Sequence, residues 1–104
     1  FCLYAEENKK IIGLIFCQML YWDNGNHIII EDLIVDENQR NKGVGKKILK
    51  RLEMIGKKMS ISVFDILVNK KAKNAIAFWE KQGYTRTGYI QFSKNGGSIK
   101  DDRI

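Results

Sequence analysis

Gln39-Arg40-Asn41-Lys42-Gly43-Val44-Gly45-Lys46 is the stretch that decides how this chain is read. It joins a β-like run, Ile28 to Val35, to a helix that the apolar spacing predicts over Gly43 to Lys58. Glycines at 43 and 45 let the backbone approach a ligand with no Cβ in the way. The helix behind them offers unpaired N–H groups and the positive end of its dipole. A strand, a short glycine loop and a helix start together make an anion cradle of the kind that holds phosphate. Arg40, Lys42, Lys46 and Lys47 surround the glycines and add positive charge.

Spacing separates the loops that share this logic. A P-loop ending on Gly45-Lys46 needs glycine at 40 and a hydroxyl at 47, where Arg40 and Lys47 stand instead. The dinucleotide fingerprint needs glycine or alanine at 48, which is Ile48. What remains is Gln/Arg-x-x-Gly-x-Gly/Ala, filled by Arg40 to Gly45. That pattern resembles the acetyl-CoA loop of the GCN5-related N-acetyltransferases. Two further stretches carry the resemblance. Ile30-Glu31-Asp32-Leu33-Ile34-Val35-Asp36 is similar to the family's strand that runs into the loop. Asn74-Ala75-Ile76-Ala77-Phe78-Trp79-Glu80-Lys81-Gln82-Gly83-Tyr84 is similar to its second signature. The resemblance spans residues 11 to 92.

The resemblance implies an α/β fold, a mixed and mostly antiparallel sheet flanked by helices (the acyl-CoA N-acyltransferase fold), here without the usual N-terminal helices. It implies transfer of an acetyl group from acetyl-CoA to a primary amine by direct attack in a ternary complex, with no metal. The amides of Arg40, Asn41, Lys42, Gly43, Val44, Gly45 and Lys46 would bind the coenzyme's pyrophosphate. The backbone of Leu33, Ile34 and Val35 would pair with the pantetheine arm as an added strand pairs with a sheet edge, and an amide near Leu33 would face the thioester oxygen. Asn74 and Phe78 would also contact the coenzyme. Asn74 reads equally well as a helix N-cap.

Glu31 and Asp32 are the candidate bases. Carboxylates between Ile30 and Leu33 are costly on a central strand unless solvated or paired. Alternation puts the two on opposite faces unless a bulge intervenes, and Glu31 is the favoured base. Relatives often place a tyrosine acid where this chain has Trp79, whose indole N–H donates but does not titrate. The one histidine, His27, stands at a strand start and reads as structural.

Composition agrees with a single domain over residues 1–104: 44% hydrophobic and 29% charged residues are usual for a globular chain. No apolar run is long enough to span a bilayer as a helix. Cys2 and Cys17 have no metal-ligand spacing, and two thiols without a framework point to a reducing, cytoplasmic setting. The net charge of +6 raises a nucleic-acid-binding module as one alternative. A coenzyme-A-binding domain without catalysis is another. The first reading has the positive residues flank a polyanionic coenzyme. A homodimer stays open.

Along the chain, strands are expected at Phe1–Ala5, Ile11–Tyr21 and Ile28–Val35 as an antiparallel meander, with turns at Glu6–Lys10 and Asp23–Asn26. A strand at Ser62–Val68, a helix at Asn74–Gln82 ended by Gly83, and a last strand at Tyr84–Phe92 follow, then a turn at Asn95–Gly97 and a charged tail. Strand, helix, strand in the middle implies one parallel pair. The chain opens inside an apolar run and not on Met, and Lys100 to Ile104 ends where another strand would begin, so a shortened form of the family is expected.

Overall fold

Three strands made by short reversals carry the rest of the chain. The computed structural model describes residues 1–23 and 25–97. β1 (Cys2–Glu7) and β2 (Lys10–Trp22) are joined by Asn8 and Lys9, at φ of 51° and 65°. Two successive positive φ values give a turn whose twist matches that of the strands it joins. β3 (Gly25–Val35) returns antiparallel to β2. Asn24, on which the Asn-Gly turn reading partly rests, and the tail from residue 98 lie outside the described residues.

After β3 the chain makes a single 3₁₀ turn at Glu37–Gln39, capped by Asp36, whose Oδ1 accepts from the Asn38 amide at 3.1 Å. Then come α1 (Val44–Lys58), β4 (Ile61–Ile66) and α2 (Lys73–Lys81). The sheet order is β1-β2-β3-β4, and β3 and β4 are the parallel pair that the strand–helix–strand pattern implies.

The apolar stripe of α1 packs on the sheet. Val44, Ile48, Leu52, Ile55 and Met59 recur at helical spacing; Ile48, Leu49, Leu52 and Gly56 are the buried residues of the helix, whereas Met59 is 42% exposed. They meet Ile15 and Cys17 of β2 and Ile28 and Ile30 of β3 in one core, which Trp79 of α2 joins. α2 ends as Gly83 predicts: the Gly83 amide donates to the Glu80 carbonyl and the Tyr84 amide to the Trp79 carbonyl, both at 3.0 Å. The Tyr84 hydroxyl donates to Glu53 Oε2 on α1 at 2.9 Å, and burial pushes its pKa well above the usual phenol range.

Two expectations are corrected. Tyr84–Phe92 is not a strand: the segment joins no ladder, and Tyr89, Ile90 and Phe92 are 91%, 76% and 86% exposed. β-prone composition makes a strand only where an edge pairs with it and a face covers it. β4 also stops at Ile66, two residues short of the expected Val68, because the chain there leaves β3.

Two predictions follow from this packing. A Cβ at Gly56 would overlap the Phe64 ring, with Cε1 at 2.7 Å. Helix propensity alone favours alanine by about 1 kcal/mol, but overpacking a core costs about 1–3 kcal/mol. Gly56→Ala should therefore lower stability in urea denaturation, and in a Phe64→Leu background the same change should become neutral or stabilising. A stabilising Gly56→Ala in the wild-type background contradicts the contact. Cys17 is 5% exposed and burial pushes its thiol up to about 11, while the other free cysteine, Cys2, is exposed. A thiol reagent at pH 8 should titrate one cysteine per native chain and both after denaturation; two in the native state contradicts the burial.

Candidate active site

The ladder between β2 and β3 contains one irregularity, and it falls on the candidate bases. Phe16 pairs with Asp32, but the next residue, Cys17, pairs with Ile30, so Glu31 is an extra residue in β3. Such a bulge reverses the phase of alternation downstream. Before it, Ile28 and Ile30 are buried toward α1, with Ile28 Cδ1 3.5 Å from where a Gly56 Cβ would stand. After it, Leu33 and Val35 face α1: their methyls lie 3.7 and 3.5 Å from the corresponding point on Gly45. Glu31 and Asp32 between them both fall on the opposite face, and both are exposed. The expected separation of the two carboxylates onto different faces is thus replaced by its bulged alternative.

The second feature is a splay. β3 and β4 pair only from Asn26 to Ile30 against Ile61 to Ile66. Beyond Ile30, the edge of β3 from Glu31 to Val35 has no strand partner on that side, and the chain after Ile66 turns away into α2. The gap is the mouth of a cleft of about 1050 Å³. Glu31, Asp32, Leu33, Ile34 and Val35 line it from β3, Ile66 to Asn69 from the end of β4, and Ala72, Ala75 and Phe78 from α2 and its approach.

The glycine loop closes the same cleft. Arg40, Asn41, Gly43, Val44, Gly45 and Lys46 all line it. Asn41 and Gly43 have φ of 63° and 79°, so the loop turns through left-handed backbone twice before α1 begins. Glycine suits 43 because an L side chain there is strained, and a Cβ would meet nothing within 4 Å, only the open cleft. Gly45 differs: it lies where α1 packs on Leu33, Val35 and Phe78, at distances that alanine would also tolerate. Arg40 ties the loop to the strand, its Nε donating to the Val35 carbonyl at 3.3 Å.

Twelve coenzyme-contact positions were expected from the sequence, and ten line this cleft. Lys42 and Asn74 do not. Asn74 is an exposed residue in the first turn of α2, and it is not the cap either: that position is Ala72, whose carbonyl accepts from the Ile76 amide at 2.9 Å. Lys50, Lys81, Gln39 and Gln82 line the cleft without having been singled out. Helical spacing held the signal for two of them, since Lys50 is one turn beyond Lys46 and Lys81 three residues beyond Phe78.

Charge is divided within the cleft. Glu31 and Asp32 stand at the splayed strand; Arg40, Lys46, Lys50 and Lys81 stand along the loop and helices. None of the six forms an ion pair with another described residue. Trp79 also reaches the cleft but is 7% exposed, held edge-on against Phe78 and Tyr84 with centroids 5.2 and 5.0 Å away. His27 lies elsewhere: it is 4% exposed, its Nδ1 is 2.8 Å from Asp65 Oδ2, and its ring is 4.2 Å from that of Trp22. A second groove of about 630 Å³ follows the open edge of β4 toward Tyr89 and contains none of the loop residues.

The chain is similar to several known proteins. The chain is 27% identical over 114 aligned residues to the thialysine N-epsilon-acetyltransferase of Mus musculus, an alignment that takes in 96% of this chain and 66% of the mouse protein. Among solved structures, an aminoglycoside acetyltransferase from an uncultured soil metagenomic sample, in complex with sisomicin, superposes with a TM-score of 0.83 at 20% identity, over 90% of this chain and 64% of that one. An aminoglycoside N-acetyltransferase in complex with CoA superposes with a TM-score of 0.80 at 15% identity, over 91% and 66%. The chain thus spans about two-thirds of the length of these relatives. Residues 1–84 match the profile of the Acetyltransferase (GNAT) family, and the chain belongs to that family.

Proposed function

We propose that this chain transfers an acetyl group from acetyl-CoA to a primary amine. The observation that carries the reading is a single cleft holding both an anion-binding glycine loop and, at its splayed strand, two carboxylates on one face. The loop amides and the start of α1 bind the pyrophosphate. The unpaired edge of β3 from Leu33 to Val35 hydrogen-bonds the amides of the pantetheine arm. Glu31 accepts the proton of the acceptor's ammonium, leaving a nitrogen lone pair that bonds to the thioester carbonyl carbon as the carbon–sulfur bond breaks. Asp32, on the same face, adds to the field that draws a cationic acceptor.

The thiolate takes its proton from solvent. Trp79 packs and does not serve as the acid, since an indole does not titrate and its ring is buried. A leaving thiol with a pKa near about 8.5 needs no strong acid. The relatives' names span a thialysine and aminoglycosides, which share a primary amine, and the acceptor here is proposed at that level. A reducing cytoplasm is part of the same proposal, a reading that two thiols without a disulfide framework support. Trp79 also favours the second reading, a coenzyme-binding domain without turnover. Free-thiol release from acetyl-CoA across a panel of amines separates the two: release that depends on an amine supports transfer, and binding with no release under any amine supports the second reading.

Glu31→Gln should lower kcat roughly 10²- to 10⁴-fold, remove the acidic limb of the pH–rate profile and leave acetyl-CoA affinity as it was. Asp32→Asn should weaken the acceptor's KM more than kcat. Full turnover with an unaltered profile in Glu31→Gln moves the base to Asp32 or to water.

A further inference from the structure

β4 carries little information about where it pairs. From Ile61 to Val68 the chain reads Ile-Ser-Val-Phe-Asp-Ile-Leu-Val, apolar on both faces except for Ser62 and Asp65. Where both faces read alike, alternation specifies register weakly, and a slip of one residue turns every side chain to the other face. Two registers meet in this ladder. Asn26 pairs with Ile61, but His27 pairs with Val63, so Ser62 is an extra residue and everything after it is displaced by one. Continued without that step, the first register would put Asp65 opposite Ile30, on the face that α1 covers, and Ile66 opposite Glu31.

The displaced register begins at His27, and His27 is where it is tied. Its Nδ1–H donates to Asp65 Oδ2 at 2.8 Å, the one contact of a basic side chain with a carboxylate among the described residues. Asp65 lies one same-face step beyond Val63, so the contact crosses the ladder diagonally. It forms only in the displaced register, since the other turns Asp65 to the opposite face. The ring is 4% exposed and 4.2 Å from that of Trp22, and its Nε2 has no partner among the described residues. An orphaned buried nitrogen costs stability, so the pair is a poor source of it. Fixing a register is the best-attested use of such buried polar pairs. We infer that His27 and Asp65 are the register key of the parallel pair and thereby positioning residues for the cleft. Ile66 to Asn69 line the cleft directly after the tie, and the other register would turn Ile66 to the opposite face. The register stands by itself; its consequence for binding rests on the coenzyme reading above.

NMR on the full chain reads the register from contacts between backbone protons of β3 and β4, with no coenzyme present. Wild type should show one set, Ile28 with Phe64 and Ile30 with Ile66. Asp65→Leu should add a second set, Ile28 with Val63 and Ile30 with position 65. Asp65→Asn, whose side-chain carbonyl still accepts from Nδ1, should keep the first set alone. The double variant His27→Leu, Asp65→Leu should equal or exceed wild type in urea midpoint, as apolar replacements of buried pairs often do, yet populate both registers. Its acetyl-CoA affinity should fall by the reciprocal of the fraction in the native register. A pair that merely stabilises would change the midpoint and leave one register. One native register in both leucine variants overturns the inference; where the double variant fails to fold, Asp65→Leu against Asp65→Asn decides it. Two registers with undiminished acetyl-CoA affinity overturn the link to the cleft. Wild type that binds no acetyl-CoA overturns the acetyltransferase reading and not the register key.

Discussion

The arrangement depends on one inserted residue in β3. Were Glu31 kept in regular alternation instead of bulged, the phase that buries Ile28 and Ile30 would continue, and Asp32 and Ile34 would be driven toward α1. A carboxylate would enter an apolar contact at a cost of several kcal/mol unless paired. The bulge instead resets the phase, so that Leu33 and Val35 receive α1 at Gly45 and both carboxylates stay in water. The β3–β4 ladder ends at the residue before it, Ile30. Packing of the helix and exposure of the acids are thus two effects of one register shift, and the cleft opens at the same point of the strand.

The loop illustrates how two glycines two residues apart do unlike work. Gly43 provides a left-handed turn over open space, which exposes backbone amides to a ligand. Gly45 lies at the contact of α1 with the strand it follows, where a Cβ would sit at ordinary van der Waals distance. The amides and the helix start are thereby aimed by core packing, with Phe78 of α2 as the third body in contact.

Much of this is legible in the sequence, for identifiable reasons. The loop, the α1 stripe and the parallel crossover are signalled by residues close together, and local rules read such signals well. The Gly83 stop is similar, since its hydrogen bonds stay within one turn. The bulge is a different matter. Alternation can say that Glu31 and Asp32 conflict with a regular strand, but only the pairing with Phe16 and Cys17 shows which residue is extra. The segment Tyr84–Phe92 has strand-like composition and no ladder, because pairing is a property of two segments and composition of one. The pattern around Asn74 fixes residue type but not where the helix begins, and with the start at Lys73 the cap is Ala72 and Asn74 is not among the residues lining the cleft.

The parallel pairing of β3 with β4 has a kinetic side. β1, β2 and β3 close through short reversals, so their contacts are near neighbours along the chain and loop closure costs them little. β4 pairs with β3 only across the longer α1 crossover, whose closure costs more, and its ladder covers few residues. The cleft exists only where those two strands first meet and then part. Its walls therefore depend on a pairing that spans the α1 crossover, and the site is expected to be completed after the meander that supports it and to loosen before it.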